Sequence, residues 1–195
     1  MRTKFAIFVA TLVVAASANA NLITNGNFEA SGSAIPSWTS TGNVATGGVP
    51  YFGAGSTAKD STKLVAFNGG DSTPNGTLSQ TFATMAGVNY SVDFDYGVTT
   101  GGSQSILAEI LGNNGTTILT SFVASSTSTA LNHFTFSFAA DGSASTLRFI
   151  DNLNNPTTSQ DGVLDNVSVV PEPGSIALLG LGLLGFAVTR RRAVK

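Results

Sequence analysis

Asn89-Tyr90-Ser91-Val92-Asp93-Phe94-Asp95-Tyr96 alternates apolar and polar side chains along its length. Successive side chains of a strand point to opposite faces. Tyr90, Val92, Phe94 and Tyr96 therefore share one face, and Ser91, Asp93 and Asp95 share the other. Period two predicts a strand with one face buried and one face wet.

The same pattern repeats outward from this run. Lys63 to Asn68, Thr77 to Phe82, Gln104 to Leu111, Thr116 to Val123, Leu131 to Ala139, Ser145 to Ile150 and Val163 to Val169 all read as strands. Asn113-Asn114-Gly115 and Asp141-Gly142 are turn signals between runs. No stretch between residues 21 and 169 shows a 3.6-residue period. About eight short strands predict an all-β antiparallel sandwich, best described as a jelly roll. Ser31 to Ala58 and Asn152 to Gln160 read as loops, because Gly, Ser, Asn and Thr dominate them.

Composition narrows the function. The 195 residues contain no cysteine and one histidine, so disulfides, thiolate metal sites and cysteine nucleophiles are excluded. A net charge of −2 gives no basic surface for nucleic acid. Between residues 21 and 169 there are only three cations (Lys59, Lys63, Arg148) against ten acids. The remaining basic residues sit at the two ends.

Those ends read as sorting signals. Arg2 and Lys4, an apolar run from Phe5 to Ala16, and Ala18-Asn19-Ala20 form the three parts of a secretory signal peptide over residues 1–20. At the other end, Ser175 to Thr189 is uncharged and is followed by Arg190, Arg191 and Arg192. Fifteen helical residues span roughly 22 Å, short of a hydrocarbon core of about 30 Å, so a crossing relies on local thinning. The arginines then lie in the cytoplasm and the body outside.

Val170-Pro171-Glu172-Pro173, an apolar glycine-rich helix over 174–189 and a basic tail over 190–195 together resemble the PEP-CTERM sorting signal. The resemblance implies that the chain is an exosortase substrate. It implies export in a Gram-negative bacterium, transient anchoring in the inner membrane, cleavage near Pro-Glu-Pro, and delivery to the cell surface or an exopolysaccharide matrix. The expected organisation is thus a signal peptide at 1–20, a body at 21–169 and a sorting signal at 170–195.

The body resembles galactose-binding-like jelly rolls, among them carbohydrate-binding modules. The matching stretches are Asn21-Leu22-Ile23-Thr24-Asn25-Gly26-Asn27-Phe28-Glu29, Pro36-Ser37-Trp38, Leu78-Ser79-Gln80-Thr81-Phe82, Gly87-Val88-Asn89-Tyr90-Ser91-Val92 and Gly162-Val163-Leu164-Asp165-Asn166-Val167-Ser168-Val169. This likeness implies a structural calcium held by Glu29 and Asp165, with backbone carbonyls near Asn25 and Lys63 as helpers. It also implies a polysaccharide partner, for which Trp38, Tyr51 and Tyr96 are the candidate rings and Asn68 and Asp71 the polar neighbours.

Catalytic motifs are missing. No Gly-x-Ser-x-Gly, His-Glu-x-x-His or phosphate-loop pattern occurs. His133 falls on the polar face of its strand and reads as an exposed strand histidine. Asp93 and Asp95, with Glu109 from a neighbouring strand, form the one carboxylate set that a glycosidase could use, and a solvated sheet face explains it better. The expectation is a non-enzymatic glycan-binding or matrix-associated module. The alternative is a structural or adhesive protein that works through protein contacts.

Overall fold

The computed structural model describes residues 20–32, 34–48, 62–69, 72–100, 102–157 and 161–172. The signal peptide, the apolar C-terminal segment with Pro173 and Arg190 to Arg192, Tyr51 and Asp71 lie outside the described residues. Asn21–Glu172 is one compact unit.

Ten strands build it: β1 (Thr39–Thr41), β2 (Val44–Gly48), β3 (Lys63–Phe67), β4 (Thr77–Ala83), β5 (Asn89–Val98), β6 (Gln104–Leu111), β7 (Ile118–Ser126), β8 (Asn132–Ala139), β9 (Ala144–Asp151) and β10 (Gly162–Pro171). They form two five-stranded sheets, ordered β1-β4-β9-β6-β7 and β2-β3-β10-β5-β8. Every pairing is antiparallel. The all-β sandwich expected from the alternation is therefore present. Two strands, β1 and β2, fall where the sequence reads as loop.

The core lies between the sheets. Val92, Phe94 and Tyr96 of β5 meet Leu147 and Phe149 of β9 and Ile106 and Ile110 of β6, all at most 1% exposed. Phe94 is the hub: its ring packs edge-on to Phe149 at 5.2 Å and stacks on Phe134 at 5.7 Å. Near the base of the core, the Trp38 ring packs against Phe28 and Phe149, and its indole N–H donates to the Asn25 carbonyl at 3.0 Å.

Two local features shape the outer face of the second sheet. β10 pairs with β3 only from Gly162 to Leu164. Beyond that point the N-terminal segment takes β3's place. Leu22 N donates to Val169 O at 2.8 Å and Val167 N donates to Gly26 O at 2.9 Å. On its other side β10 is bulged against β5 between Asp165 and Ser168. Asn166, within the bulge, takes a φ of 51°, a left-handed conformation that asparagine tolerates better than most residues.

Candidate functional site

The outward face of β5 carries Ser91, Asp93 and Asp95, and the register with β8 sets Asp95 directly opposite His133. Opposed side chains in an antiparallel pair lie close enough to touch. The imidazole lies between the two carboxylates: Nδ1 is 3.0 Å from Asp95 Oδ1 and Nε2 is 3.4 Å from Asp93 Oδ1. The bulge brings in a fourth side chain, since Asn166 Nδ2 donates to Asp95 Oδ2 at 3.0 Å. Ser91 Oγ donates to Asp93 Oδ2 at 3.2 Å. Asp95 is thus buried with both oxygens engaged, whereas the His133 side chain is 56% exposed.

This cluster floors an open groove of about 520 Å³. Its other wall is the N-terminal segment, with Asn21, Asn25 and Asn27, and the bulge residues Asn166 and Ser168 complete the lining. Asn21 fixes that wall by accepting from Ile23 N at 2.9 Å and Val169 N at 3.0 Å. Gly26 is required by the close approach. A Cβ there would lie 1.9 Å from the Val167 carbonyl oxygen.

Among the described residues, the groove is lined by two carboxylates, one imidazole, the amides of four asparagines, the Ser168 hydroxyl and the apolar Ile23 and Val167, with no lysine, arginine, phenylalanine, tyrosine or tryptophan. Such a surface exchanges hydrogen bonds with hydroxyl groups. It does not form a Ser–His–Asp arrangement, because His133 Nε2 faces the Asp93 carboxylate instead of a hydroxyl.

The sequence-predicted residues divide. Asp93 and Asp95 share a face, as the alternation required. His133 is exposed on that face, but its ring nitrogens are engaged by Asp95 and Asp93, which the reading of single strands missed. Glu109 does not join them. It lies on β6 in the other sheet, where Arg148 Nε donates to its Oε2 at 3.1 Å. Trp38 and Tyr96 are core side chains, 8% and 1% exposed, so neither ring offers a face to a ligand. Asn68 is buried as well.

Burial pushes the Tyr96 phenol up, helped by the charge of Asp151. Burial also raises Asp151, against the opposing hydrogen bonds from Asn155 and the Asn152 backbone.

Glu29 ties the N-terminal segment to the start of β3. Its carboxylate accepts from Thr62 N and Lys63 N, both at 2.6 Å, and from Thr62 Oγ1 at 2.9 Å. Lys63 Nζ donates to the Glu29 carbonyl at 3.0 Å. Asp165 is fully buried, lies opposite Asp95 in the ladder, and accepts from Asn166 N at 2.8 Å. Among the described residues, no three His, Cys, Asp or Glu side chains group as a metal site. A cation at Glu29 would have to displace the donors of Thr62 and Lys63. Of the sorting motif, Val170 and Pro171 are ladder residues opposite Ser91 and Tyr90, and Glu172 N donates to Asn89 O at 2.9 Å.

Known structures share this architecture. The chain is similar to TmCBM61, solved with β-1,4-galactotriose, at TM-score 0.58 and 18% identity over 78% of this chain and 99% of that one. It is similar to the CBM22-1 xylan-binding domain from Paenibacillus barcinonensis, at TM-score 0.55 and 14% identity over 80% and 97%. It is also similar to the enzymatically active domain of bacteriophage CBA120 tailspike protein 4, at TM-score 0.51 and 16% identity, covering 77% of this chain but only 21% of that one. These likenesses establish the fold, which occurs both in binding modules and as part of enzyme chains. No curated protein matches the chain. Residues 169–192 match the PEP-CTERM protein-sorting motif, which marks an exported, exosortase-processed surface protein. Over residues 21–170, which take in all ten strands but for Pro171 at the end of β10, the chain belongs to the family described as Protein of unknown function (DUF642).

Proposed function

We propose that the sandwich is a non-enzymatic glycan-binding module of the cell surface or extracellular matrix, and that it binds in the groove over Asp93, Asp95 and His133. The observation that carries this reading is the groove itself, a polar surface held rigid by a strand register and a bulge. The sugars named with two similar structures, galactotriose and xylan, support the same ligand class. Two carboxylates and no lysine or arginine favour neutral or amine-bearing sugars and disfavour uronates, which would meet like charge.

The test is retardation of the full chain in gels containing neutral, amine-bearing or uronate polysaccharides. Asp93→Ala and His133→Ala should each weaken binding about tenfold, the scale of one hydrogen bond to a charged group. Retention by no polysaccharide, or equal retention of the variants, sinks the reading. A second reading, adhesion through protein contacts, is favoured by the edge strand β7, where Ile118 and Val123 are exposed. Oligomers without polysaccharide retention would support it.

Retention in the inner membrane of a Gram-negative cell through residues 174–189, before exosortase cuts, belongs to the same proposal. Fractionation with and without residues 173–195 reads it, and unchanged membrane retention refutes it. Calcium at Glu29 and Asp165 is supported by the likeness to galactose-binding-like jelly rolls, and at Glu29 it would take the place of the Thr62 and Lys63 donors. Calcium should raise the melting midpoint, and Asp165→Ala should remove that rise. A midpoint indifferent to calcium and chelator counts against the ion.

A further inference from the structure

At one end of the sandwich interior, polar side chains replace the apolar ones. Gln104 continues the inward row of Ile106 and Ala108 on β6, and Asp151 continues that of Leu147 and Phe149 on β9. They are 1% and 2% exposed. Asp151 lies opposite Ile106 in the ladder, so Gln104 is its diagonal neighbour, a spacing that long side chains span. Residues 152–157 close over them. Asn155 Nδ2 donates to Asp151 Oδ1 at 2.6 Å and to Ser105 O at 2.8 Å. Gln104 Nε2 donates to Pro156 O at 3.4 Å. That bond fixes the amide, because the flipped orientation would set two carbonyl oxygens against each other.

Two oxygens are left over. Gln104 Oε1 and Asp151 Oδ2 are buried and meet no donor. One of them belongs to a carboxylate whose other oxygen is already held as an acceptor by Asn155. The ion pair of Arg148 with Glu109 and the contacts of His133 with Asp93 and Asp95 lie elsewhere. None of them reaches Asp151. A buried carboxyl is neutralised either by a proton or by a partner of opposite charge.

We propose that Asp151 Oδ2 and Gln104 Oε1 hold a monovalent cation, sodium or potassium, at this end of the sandwich. Both donor atoms are hard oxygens, as an alkali ion requires. One carboxylate balances one positive charge, whereas a divalent ion would leave a buried net charge. The ion fastens the 152–157 loop over the end of the core. The site involves neither the groove nor Glu29.

The test uses the full chain in detergent, with chelator present to remove divalent ions. Its melting midpoint is compared in sodium, potassium and tetramethylammonium chloride at equal ionic strength. Sodium or potassium should raise the midpoint by about 3 °C, with saturation. Asp151→Asn should abolish the rise and Gln104→Met should reduce it. Sodium-23 relaxation on the unaltered chain reads the same site without a variant, as line broadening that potassium reverses. Equal midpoints in all three salts with no specific broadening would overturn the proposal, and leave a proton or a water between the two oxygens.

Discussion

Phe94→Ala should lower the unfolding free energy by about 3–5 kcal/mol, the range for removing a large buried aromatic side chain. Phe94 is fully buried. Besides Phe149 and Phe134, its ring meets Phe122 and Phe136 edge-on, each at 6.4 Å. Phe122 and Phe149 belong to one sheet, and Phe134 and Phe136 to the other. Truncation therefore removes one of the ring clusters that join the sheets and leaves a cavity the surrounding rings cannot all fill. Domains of this size are stable by roughly 5–15 kcal/mol, so the loss is a large share of the total. Urea unfolding of the full chain measures it, and Phe94→Leu serves as the milder change, costing below about 1.5 kcal/mol. A loss under about 1 kcal/mol for the alanine variant would show that the core is not organised around this ring.

Gly26→Ala should be the most damaging single methyl group in the N-terminal segment. The added Cβ would lie 1.9 Å from Val167 O and 3.0 Å from Val167 C, both backbone atoms that no rotamer change can move aside. The segment must retreat, and the bond from Val167 N to Gly26 O is lost with it. Overpacking of this kind costs about 1–3 kcal/mol. Because the segment and the bulge it is bonded to both line the groove, glycan retention should fall at least tenfold, measured on the same gels. Wild-type stability together with wild-type retention would mean that the wall is not where binding occurs.

Much of this architecture is written in period two. The eight runs that alternate became eight strands within a few residues, because sheet burial on one face leaves a local signature. β1 and β2 left none. β1 has three residues, all exposed, and both strands lie at sheet edges within glycine- and serine-rich sequence. Their pairing is supplied by β4 and β3, not by their own side chains.

The site was half legible for the same reason. Alternation places Asp93 and Asp95 outward and equally places Tyr96 inward with Phe94, so the strand pattern itself argued against Tyr96 as a ligand platform. What alternation cannot give is register between distant strands. That register brings His133 to Asp95, and the unpaired bulge residue Asn166 closes the cluster from a third strand. A signal existed: Phe134 and Phe136 must face the core beside Phe94 and Val92, which fixes His133 near the aspartates. Glu109 failed as a partner because β6, the run that follows β5 in sequence, belongs to the opposite sheet.

The last strand also has a mechanical meaning. β10 is the middle strand of its sheet, and it runs without interruption into the first three residues of the sorting motif. A pull applied beyond Glu172 is directed along that strand. The load falls together on its bonds to β5, to β3 and to the N-terminal segment, in shear, so they cannot open one after another as a peeled edge would. Endurance under tension is then set by the rate of unfolding rather than by equilibrium stability. A protein tethered by this end while its groove grips a polymer would be loaded through its most firmly seated strand.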